Sequence, residues 1–324
     1  MKILITGGAG FIGSHLVERL CNKHKIIVID NLSTGRIENL KKFLPKITFI
    51  KADISKIEKI EKYFKGVSKV FHLAALADIV PSIQNPSEYY NSNVTGTLNV
   101  LRCSHKYNVS KFLYAASSSC YGIAKNYPTS ENEPLDPKYP YALTKLLGEN
   151  LVIHWSKVYK LKYISLRLFN VYGTKSRTSG TYGAMFGVFL AQKLFNAPLT
   201  IVGNGKQTRD FTYVSDVVSA FIAASNSRVC NQIFNVGSGK TISVNKIASI
   251  LSDKKIYLPK RPGEPDSTFA NISKIKKMLK WKPRVTIEDG IKLILKDINY
   301  WSKAPVWTKK GIMKATKDWF KYLK

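Results

Sequence analysis

Short apolar runs and longer helical patterns alternate along the first half of the chain. The apolar runs cover residues 2–6, 25–29, 46–50, 67–73, 111–116 and 163–168, and each has the length of a buried strand. Apolar residues between them recur at three- and four-residue spacing, which predicts helices at 14–20, 93–101 and 141–159. Strands that alternate with helices at this pace predict an α/β fold with a doubly wound parallel sheet.

The strict alternation fades after Gly173. The pattern then predicts a helix at 185–195, short strands at 199–202 and 208–213, a helix at 214–226 and a last sheet strand at 232–236. We therefore expect a first domain formed by residues 1–173 plus 212–239. Residues 174–211 plus 240–324, with a glycine-rich stretch at 180–187, are expected to form a second, smaller mixed α/β domain.

The first thirty residues carry the clearest candidate chemistry. The run 2–6 ends in a turn with Gly7, Gly10 and Gly13, a helix follows, and the next apolar run ends in Asp30. This is the context in which a glycine turn binds a dinucleotide, because glycine lets the backbone approach the pyrophosphate at the N-terminus of the helix. Asp30 can accept a hydrogen bond from a ribose 2′-hydroxyl, which favours NAD over NADP. The alternative is a glycine-rich turn without a ligand.

Further polar or small residues follow other predicted strands. Ala74, Ala75 and Ser117 fall at carboxyl ends, the edge at which ligands bind in doubly wound sheets, and Asn31 opens a polar loop after Asp30. Asp53 could bind an adenine amino group or could only cap the next helix.

Tyr141 and Lys145 are four residues apart on a predicted helix and therefore share a face. A phenol with a pKa near 10 needs positive charge nearby to act as a base at neutral pH. The lysine supplies that charge, and Ser117 could orient the substrate proton. The spacing alone is common on surface helices, but after a glycine fingerprint and a strand-end serine cluster it predicts an acid–base pair.

Composition excludes several other classes of protein. The chain has 324 residues, 44% hydrophobic and 22% charged, which is typical of a soluble globular protein. No apolar run approaches the roughly 20 residues of a membrane span, and the N-terminus lacks a signal-peptide pattern, so we expect no membrane association and a cytoplasmic location. The four cysteines are scattered without CxxC or histidine pairing, so neither disulfides nor a metal site is predicted.

The formal net charge of +30 is unusual and raises the question of a nucleic-acid partner. Only nine of the 51 basic residues are arginine, the side chain that usually recognises bases and phosphates, and the lysines are spread along the whole chain. This distribution favours a solvated lysine-rich surface, and we expect no nucleic-acid partner.

The sequence resembles the extended short-chain dehydrogenases/reductases, and among them the NAD-dependent nucleotide-sugar 4-epimerases of the UDP-glucose or UDP-N-acetylglucosamine type. The resemblance runs from Lys2 to about Asp289. It rests on Gly7-x-x-Gly10-x-x-Gly13, Asp30-Asn31, Asp53-Ile54, His72-Leu73-Ala74-Ala75, Asn93-Val94-x-Gly96-Thr97, Ser117-Ser118-Ser119-Cys120-Tyr121-Gly122, Tyr141-x-x-x-Lys145, Arg167-x-Phe169-Asn170-Val171-Tyr172-Gly173 and Gly203-x-Gly205-x-x-x-Arg209-Asp210-Phe211.

The resemblance implies a Rossmann-type first domain and assigns roles to individual residues. The implied catalytic residues are Ser117, Tyr141 and Lys145. The implied NAD-binding residues are Gly7, Gly10, Phe11, Ile12, Gly13, Asp30, Asn31, Asp53, Ile54, Ala74, Ala75, Asn93, Tyr141, Lys145 and Phe169. A nucleotide-sugar, expected to be UDP-linked, would contact Ser117, Ser118, Ser119, Tyr141, Asn170, Arg209, Arg261 and Asp266, with Arg209 on its pyrophosphate.

The implied reaction is transient oxidation of the sugar at C4, followed by return of the hydride to the opposite face. Related 4,6-dehydratases carry an Asp-Glu pair in place of Ser118 and Ser119, and UDP-glucuronate decarboxylases carry a glutamate in place of Ser119, so both reactions are disfavoured. UDP-glucose/galactose and their N-acetyl forms are the expected substrates. UDP-uronate 4-epimerisation, CDP-sugar 2-epimerisation, a net reduction and a non-enzymatic dinucleotide sensor remain alternatives.

The chain continues beyond Gly290, near which many such epimerases end. Ala315, Trp319 and Tyr322 show helical spacing within 312–323, which predicts a helix packed against the second domain; a contact with a partner or subunit is the alternative. Relatives pair through helices that correspond to 93–107 and 141–159, so the resemblance also implies a homodimer with a four-helix interface.

Overall fold

The computed structural model of the protein describes residues 1–176 and 185–323. Most of the predicted glycine-rich stretch at 180–187 and the C-terminal Lys324 lie outside these ranges. The strands in the described ranges are β1 Lys2–Thr6, β2 Lys25–Asp30, β3 Ile47–Lys51, β4 Lys69–His72, β5 Lys111–Ser117, β6 Tyr163–Leu168, β7 Val171–Tyr172, β8 Leu199–Val202, β9 Thr208–Arg209, β10 Thr212–Tyr213, β11 Gln232–Val236, β12 Ile242–Ser243 and β13 Lys255–Leu258.

The described helices are α1 Phe11–Leu20, α2 Ile57–Ile60, α3 Ile79–Gln84, α4 Pro86–Tyr90, α5 Gly96–Lys106, α6 Pro140–Tyr159, α7 Met185–Leu194, α8 Val214–Asn226, α9 Val244–Leu251, α10 Ser273–Leu279, α11 Ile287–Lys296, α12 Lys309–Ala315 and α13 Lys317–Tyr322. A π-helical turn at Asn91–Thr95 leads into α5. Short 3₁₀ helices cover Ile37–Leu40, Leu44–Lys46, Glu61–Phe64, Ser118–Tyr121 and Ile298–Trp301.

Seven strands of the described chain form one parallel sheet in the order β11-β6-β5-β4-β1-β2-β3. The chain adds β2 and β3 on one side of β1 and then β4, β5, β6 and β11 on the other side, so the strand order reverses between β1 and β4. In such sheets the carboxyl ends of the strands at this point form a crevice. The predicted doubly wound parallel sheet is therefore confirmed. Its strands are apolar along most of their length because helices cover both faces, as in β1, where Ile3, Leu4 and Ile5 are buried.

Two hydrophobic cores lie on the two faces of this sheet. One packs α1 and α8 against residues such as Ile5 and Phe234, and the other packs α5 and α6 against residues such as Leu4 and Phe112. A third core joins α7, α9 and α11 with β8 and includes the fully buried Trp301. Residues 270–281, which were assigned to the second domain, pack with the first core through Ala270 and Trp281, and the domain boundaries otherwise stay a prediction.

The single strand expected at 208–213 is two short strands in different small sheets. The chain bends between them because the buried Asp210 carboxylate accepts hydrogen bonds from backbone N–H groups of Ser238, Gly239 and Ala270. Pattern reasoning missed this bend because the partners of Asp210 lie 28 to 60 residues further along the chain. Within the described ranges, no helix combines the length and apolar character needed to span a membrane.

Candidate functional site

A large cavity of about 690 Å³ opens at the carboxyl edge of the central sheet. This volume lies in the upper part of the roughly 300–1,000 Å³ range of small-molecule sites. Its walls contain the glycine turn after β1, the ends of β2 through β6, the N-terminal part of α6, the loop 261–265 and parts of the C-terminal segment. The cavity therefore joins the sheet edge to residues from the last fifth of the chain.

Almost all the sequence-predicted site residues line this cavity. From the predicted cofactor set these are Gly7, Gly10, Phe11, Ile12, Gly13, Asp30, Asn31, Asp53, Ile54, Ala74, Ala75, Tyr141, Lys145 and Phe169. From the predicted substrate set they are Ser117, Ser118, Ser119, Tyr141, Asn170, Arg209 and Arg261. Their positions fit the predicted roles. The roles themselves stay predictions, because the geometry does not test them.

The glycine turn has no space for side chains at its closest points. A Cβ on Gly13 would lie 2.1 Å from the carbonyl oxygen of Gly7, and a Cβ on Gly7, which has φ +70°, would lie 2.6 Å from the backbone nitrogen of Ala74. Glycine is therefore required for the turn itself and for its approach to the end of β4. The turn leaves the first backbone N–H groups of α1 available to phosphate oxygens.

Asp30 holds the turn from the end of β2. Its buried carboxylate accepts hydrogen bonds from the backbone N–H groups of Ala9, at 2.9 Å, and Leu32, at 2.8 Å. Burial raises the pKa of this carboxyl group, and the two backbone donors oppose the shift. A carboxylate has more acceptor positions than these two bonds use, so Asp30 can still accept from a ribose hydroxyl.

The predicted acid–base residues meet at the ends of β5 and α6. The Tyr141 hydroxyl donates to Ser117 Oγ at 3.3 Å, and Ser117 Oγ lies 2.8 Å from Ser119 Oγ. Burial raises the pKa of Tyr141, whereas its hydrogen bond to Ser117 lowers it. A phenol and two hydroxyls thus form one connected group that faces the cavity.

Lys145 lies one turn further along α6 and is only 5% exposed. Its ammonium group sits over the ring of Tyr114, 4.4 Å from the centroid, which is a favourable cation–π contact. Burial lowers the pKa of Lys145 to about 7, and the nearby Glu149 carboxylate partly offsets this effect. The lysine can therefore exchange its proton close to neutral pH.

Behind the catalytic edge, Glu149 and Arg167 form a buried ion pair between α6 and β6. Arg167 Nη2 donates to Glu149 Oε2 at 2.7 Å, and Nη1 donates to the Tyr121 hydroxyl at 2.9 Å. Ser165 also donates to Glu149. The pair fixes the register between the helix that carries Tyr141 and the sheet.

Asn93 does not line the cavity, contrary to its predicted contact with NAD. Its side-chain amide accepts from Leu76 N and donates to Leu76 O and Thr144 Oγ1, at 2.8, 3.0 and 3.0 Å, and the residue is 1% exposed. These bonds hold the segment after β4 against α6. Asn93 is therefore a buried residue that stabilises the wall of the cavity without lining it.

Asp266 also lies apart from the main cavity. Its side chain is 80% exposed and pairs with Lys260, so the prediction that it contacts substrate is not supported by its position. Glu264, two residues earlier in the same loop, lies in the cavity and accepts from Arg209 Nη2 at 3.1 Å. Sequence reasoning could not distinguish the two acids, because both lie in one irregular loop without periodicity.

The C-terminal segment differs from its predicted arrangement. The expected helix at 312–323 is divided at Thr316 into α12 and α13. The second of these contacts α3 of the first domain, and Asp318 accepts a 2.7 Å hydrogen bond from the Gln84 side-chain amide. Trp319 Nε1 also donates to the Pro262 carbonyl oxygen, so the segment contacts the predicted second domain, as expected, and the first domain as well.

Tyr139 and Trp319 are site residues that sequence reasoning did not identify. The Tyr139 ring stacks on that of Tyr141, with centroids 6.3 Å apart and planes 11° apart, and Trp319 packs on Tyr139 at 6.3 Å. Both residues line the cavity. The position of Tyr139 just before Pro140 and the start of α6 was the only local signal, and Trp319 had none beyond its helical spacing.

A sequence profile of the NAD dependent epimerase/dehydratase family matches residues 3–237, which include the glycine turn and the Ser117, Tyr141 and Lys145 group. The chain belongs to this family. Its cofactor is therefore NAD, and the predicted relationship to extended short-chain dehydrogenases/reductases is confirmed.

Solved structures of family members with different sugar ligands resemble this chain to a similar degree. The UDP-glucose 4-epimerase of Thermotoga maritima with UDP-glucose is 34% identical, with a TM-score of 0.87 over 94% of this chain and 99% of that one. The UDP-N-acetylglucosamine 4-epimerase of Methanobrevibacter ruminantium with UDP-N-acetylmuramic acid is 32% identical, with a TM-score of 0.86 over 91% and 98%. The UDP-glucuronic acid 4-epimerase of Bacillus cereus with UDP-glucuronic acid and NAD is 32% identical, with a TM-score of 0.86 over 93% and 99%.

The cavity fits the family cofactor on its own geometry. An added Cβ at Gly7 or Gly13 would collide with the backbone of Ala74 or of Gly7, so glycine keeps this turn tight, and Asp30 lines the same cavity. Tyr141 and Lys145 line the same cavity, at the carboxyl edge of the central sheet. This is where the fold family holds a dinucleotide.

Proposed function

We propose that the protein is a UDP-sugar 4-epimerase that uses NAD as a recycled hydride carrier, with UDP-glucose/galactose or their N-acetyl forms as substrates. The single observation that carries the proposal is the contact of the Tyr141 hydroxyl with Ser117 Oγ at 3.3 Å, in a cavity that also holds buried Lys145. Members of the family with similar overall structure act on UDP-linked sugars, which supports UDP as the nucleotide.

In the proposed reaction, Tyr141 removes the proton from the sugar 4-hydroxyl. Ser117 orients that hydroxyl by hydrogen bonding, and the charged form of Lys145 stabilises the phenolate. The chemistry that NAD supplies when bound is reversible acceptance of a hydride from C4. The 4-keto sugar would then turn within the cavity and present its other face for reduction, and the Tyr141 phenol would return its proton to the C4 oxygen.

The side chains beside Ser117 favour epimerisation over elimination. A dehydratase must remove a proton from C5 and protonate the leaving hydroxyl of C6, which requires an additional acid and base. Here Ser118 and Ser119 occupy those places in the cavity wall. Neither hydroxyl is acidic or basic enough for these steps at neutral pH, so we propose that the 4-keto sugar is reduced again rather than dehydrated.

The experiment incubates the purified protein, without added cofactor, with UDP-glucose, UDP-N-acetylglucosamine, UDP-glucuronate and CDP-linked sugars, followed by chromatographic separation of epimers. We expect turnover of a UDP-hexose and a loss of at least about 100-fold in the Tyr141→Phe variant, because general acid–base groups contribute about 10²–10⁴-fold. Tyr322→Phe, at an exposed tyrosine, serves as the matched control. Full activity of Tyr141→Phe, or turnover of CDP-sugars only, would contradict the proposal.

We also propose that the protein forms a homodimer through α5 and α6, as the resemblance implies. The supporting observation is a set of exposed apolar residues on α6, Leu143, Val158 and Tyr159. Sedimentation of the protein, with Val158→Glu as the disrupting variant, tests this assembly.

A further inference from the structure

We infer that Trp319, carried by the C-terminal helix α13, is a wall of the sugar end of the cavity and determines which hexose substituents are accepted. The inference rests on the proposed epimerase function and adds a specificity-determining residue to it. It starts from the observation that a tryptophan far outside the family profile, which ends at residue 237, lines the same cavity as Tyr141.

The position of Trp319 places it at the sugar end. Its ring packs on Tyr139, which in turn stacks on the catalytic tyrosine candidate Tyr141. The Arg261 guanidinium also lies over the Trp319 ring, 5.1 Å from its centroid. The indole therefore stands between the group that would act on C4 and the loop that also carries Glu264, where the rest of a nucleotide-sugar would extend.

The indole is held in one orientation. Its Nε1–H donates to the carbonyl oxygen of Pro262 at 2.8 Å, and the side chain is only 4% exposed. The neighbouring Asp318 accepts from Gln84 on α3. Because both the ring and the helix that carries it are fixed, the small exposed part of Trp319 is an immobile piece of the cavity wall.

A rigid aromatic wall next to a sugar has a clear consequence for specificity. A fixed wall limits the volume beside the sugar, and an added N-acetyl group needs more of that volume than a hydroxyl group does. Apolar contacts of this kind discriminate between substrates by about 10–200-fold per group. We assign to Trp319 a preference for the smaller hexose and discrimination against larger substituents.

The test compares kcat/KM for UDP-glucose and UDP-N-acetylglucosamine in the holoenzyme and its variants. In Trp319→Ala we expect the ratio of the two values to shift by about tenfold towards the N-acetylated sugar. The Kd of UDP alone is measured beside it, because UDP lacks the sugar and reports only on the nucleotide end. Tyr322→Ala is the matched control, since this aromatic residue lies on the same helix but is 59% exposed.

Trp319→Phe keeps an apolar ring and loses the hydrogen bond to Pro262. If Trp319→Ala does not fold, this second variant tests the effect of Trp319 on substrate preference. We expect a smaller ratio shift in the same direction, because the phenyl ring leaves part of the indole volume empty. An unchanged ratio, with a weaker UDP Kd or with equal loss for both sugars, would overturn the inference and give Trp319 a structural role only. Absence of any turnover by the unaltered enzyme would instead overturn the proposed epimerase function.

Discussion

The glycine turn at 7–13 and the loop at 261–264 both approach the cavity, but they are held in different ways. The turn is fixed by close backbone contacts, such as the Gly13 position against the Gly7 carbonyl, and by Asp30. The loop is held by side chains from distant segments, with Arg209 bound to Glu264 and Trp319 bound to Pro262. The comparison indicates that the cofactor end tolerates almost no change, whereas the substrate end can vary while the fold stays intact.

The largest effect that this comparison predicts is for Gly13→Ala. The new Cβ would meet the Gly7 carbonyl oxygen at 2.1 Å and Gly8 Cα at 2.8 Å, so the turn must open and its phosphate-facing backbone must move. We expect the purified variant to carry about one tenth, or less, of the NAD found in the unaltered protein. A tenfold weaker affinity corresponds to about 1.4 kcal/mol of binding free energy. The measurement is the amount of NAD released per chain on acid denaturation.

Gly66→Ala is the control for Gly13→Ala. Gly66 has φ +74° and no atom within 4 Å of an added Cβ, so it introduces backbone strain without a collision. We expect the NAD content of this variant to match that of the unaltered protein. If Gly13→Ala also kept its full NAD content, the description of the turn as intolerant would be wrong.

An intermediate effect is expected on the free energy of unfolding when the pH is lowered. His72 is buried between Thr6 and Thr97, and burial, together with the charge of Lys145, lowers its pKa to about 3. Between pH 6.5 and 3 the unfolded chain therefore binds one more proton at this residue than the folded chain, so the free energy of unfolding falls as pH falls. From pH 6.5 to 5 the loss from this residue is about 2 kcal/mol.

Urea unfolding at pH 6.5 and 5 measures this contribution. We measure how much the free energy of unfolding falls from pH 6.5 to pH 5. In His72→Asn we expect this fall to be smaller by about 2 kcal/mol than in the unaltered protein. His154→Asn, at an exposed histidine, should leave the difference unchanged. Equal differences in all three proteins would show that His72 does not couple protonation to folding.

The smallest effect is expected at the substrate loop from Gly263→Ala. Gly263 has φ +69°, but the nearest atom to an added Cβ is the Leu323 carbonyl oxygen at 3.9 Å, so the cost is backbone strain of about 1 kcal/mol without a collision. We expect a few-fold increase in the Kd of UDP by titration calorimetry and unchanged NAD content. Gly263→Asn should bind UDP more tightly than Gly263→Ala, because asparagine tolerates the left-handed conformation. A loss of NAD in Gly263→Ala would remove the contrast between the two regions.

The same contrast explains which parts of the molecule were predictable. The strands and the glycine turn depend on neighbouring residues, so local patterns identified them, and Asp30 followed from its place at the end of β2. Asn93, Glu264 and Trp319 owe their positions to contacts with residues far away in sequence, such as Leu76, Arg209 and Pro262. Apolar periodicity carries no information about those partners, and so the rear position of Asn93, the choice of acid in the loop and the docking of α13 could not be predicted.

The docking of α13 also bears on how the protein is made. The cavity begins with Gly7 and is closed by Trp319, so its walls span nearly the whole chain. During synthesis, the glycine turn and the sheet strands emerge long before the helix that completes the sugar end. A nascent chain can therefore gain a cofactor-binding edge early, but its substrate pocket is finished only after residue 319 has left the ribosome and reached Pro262.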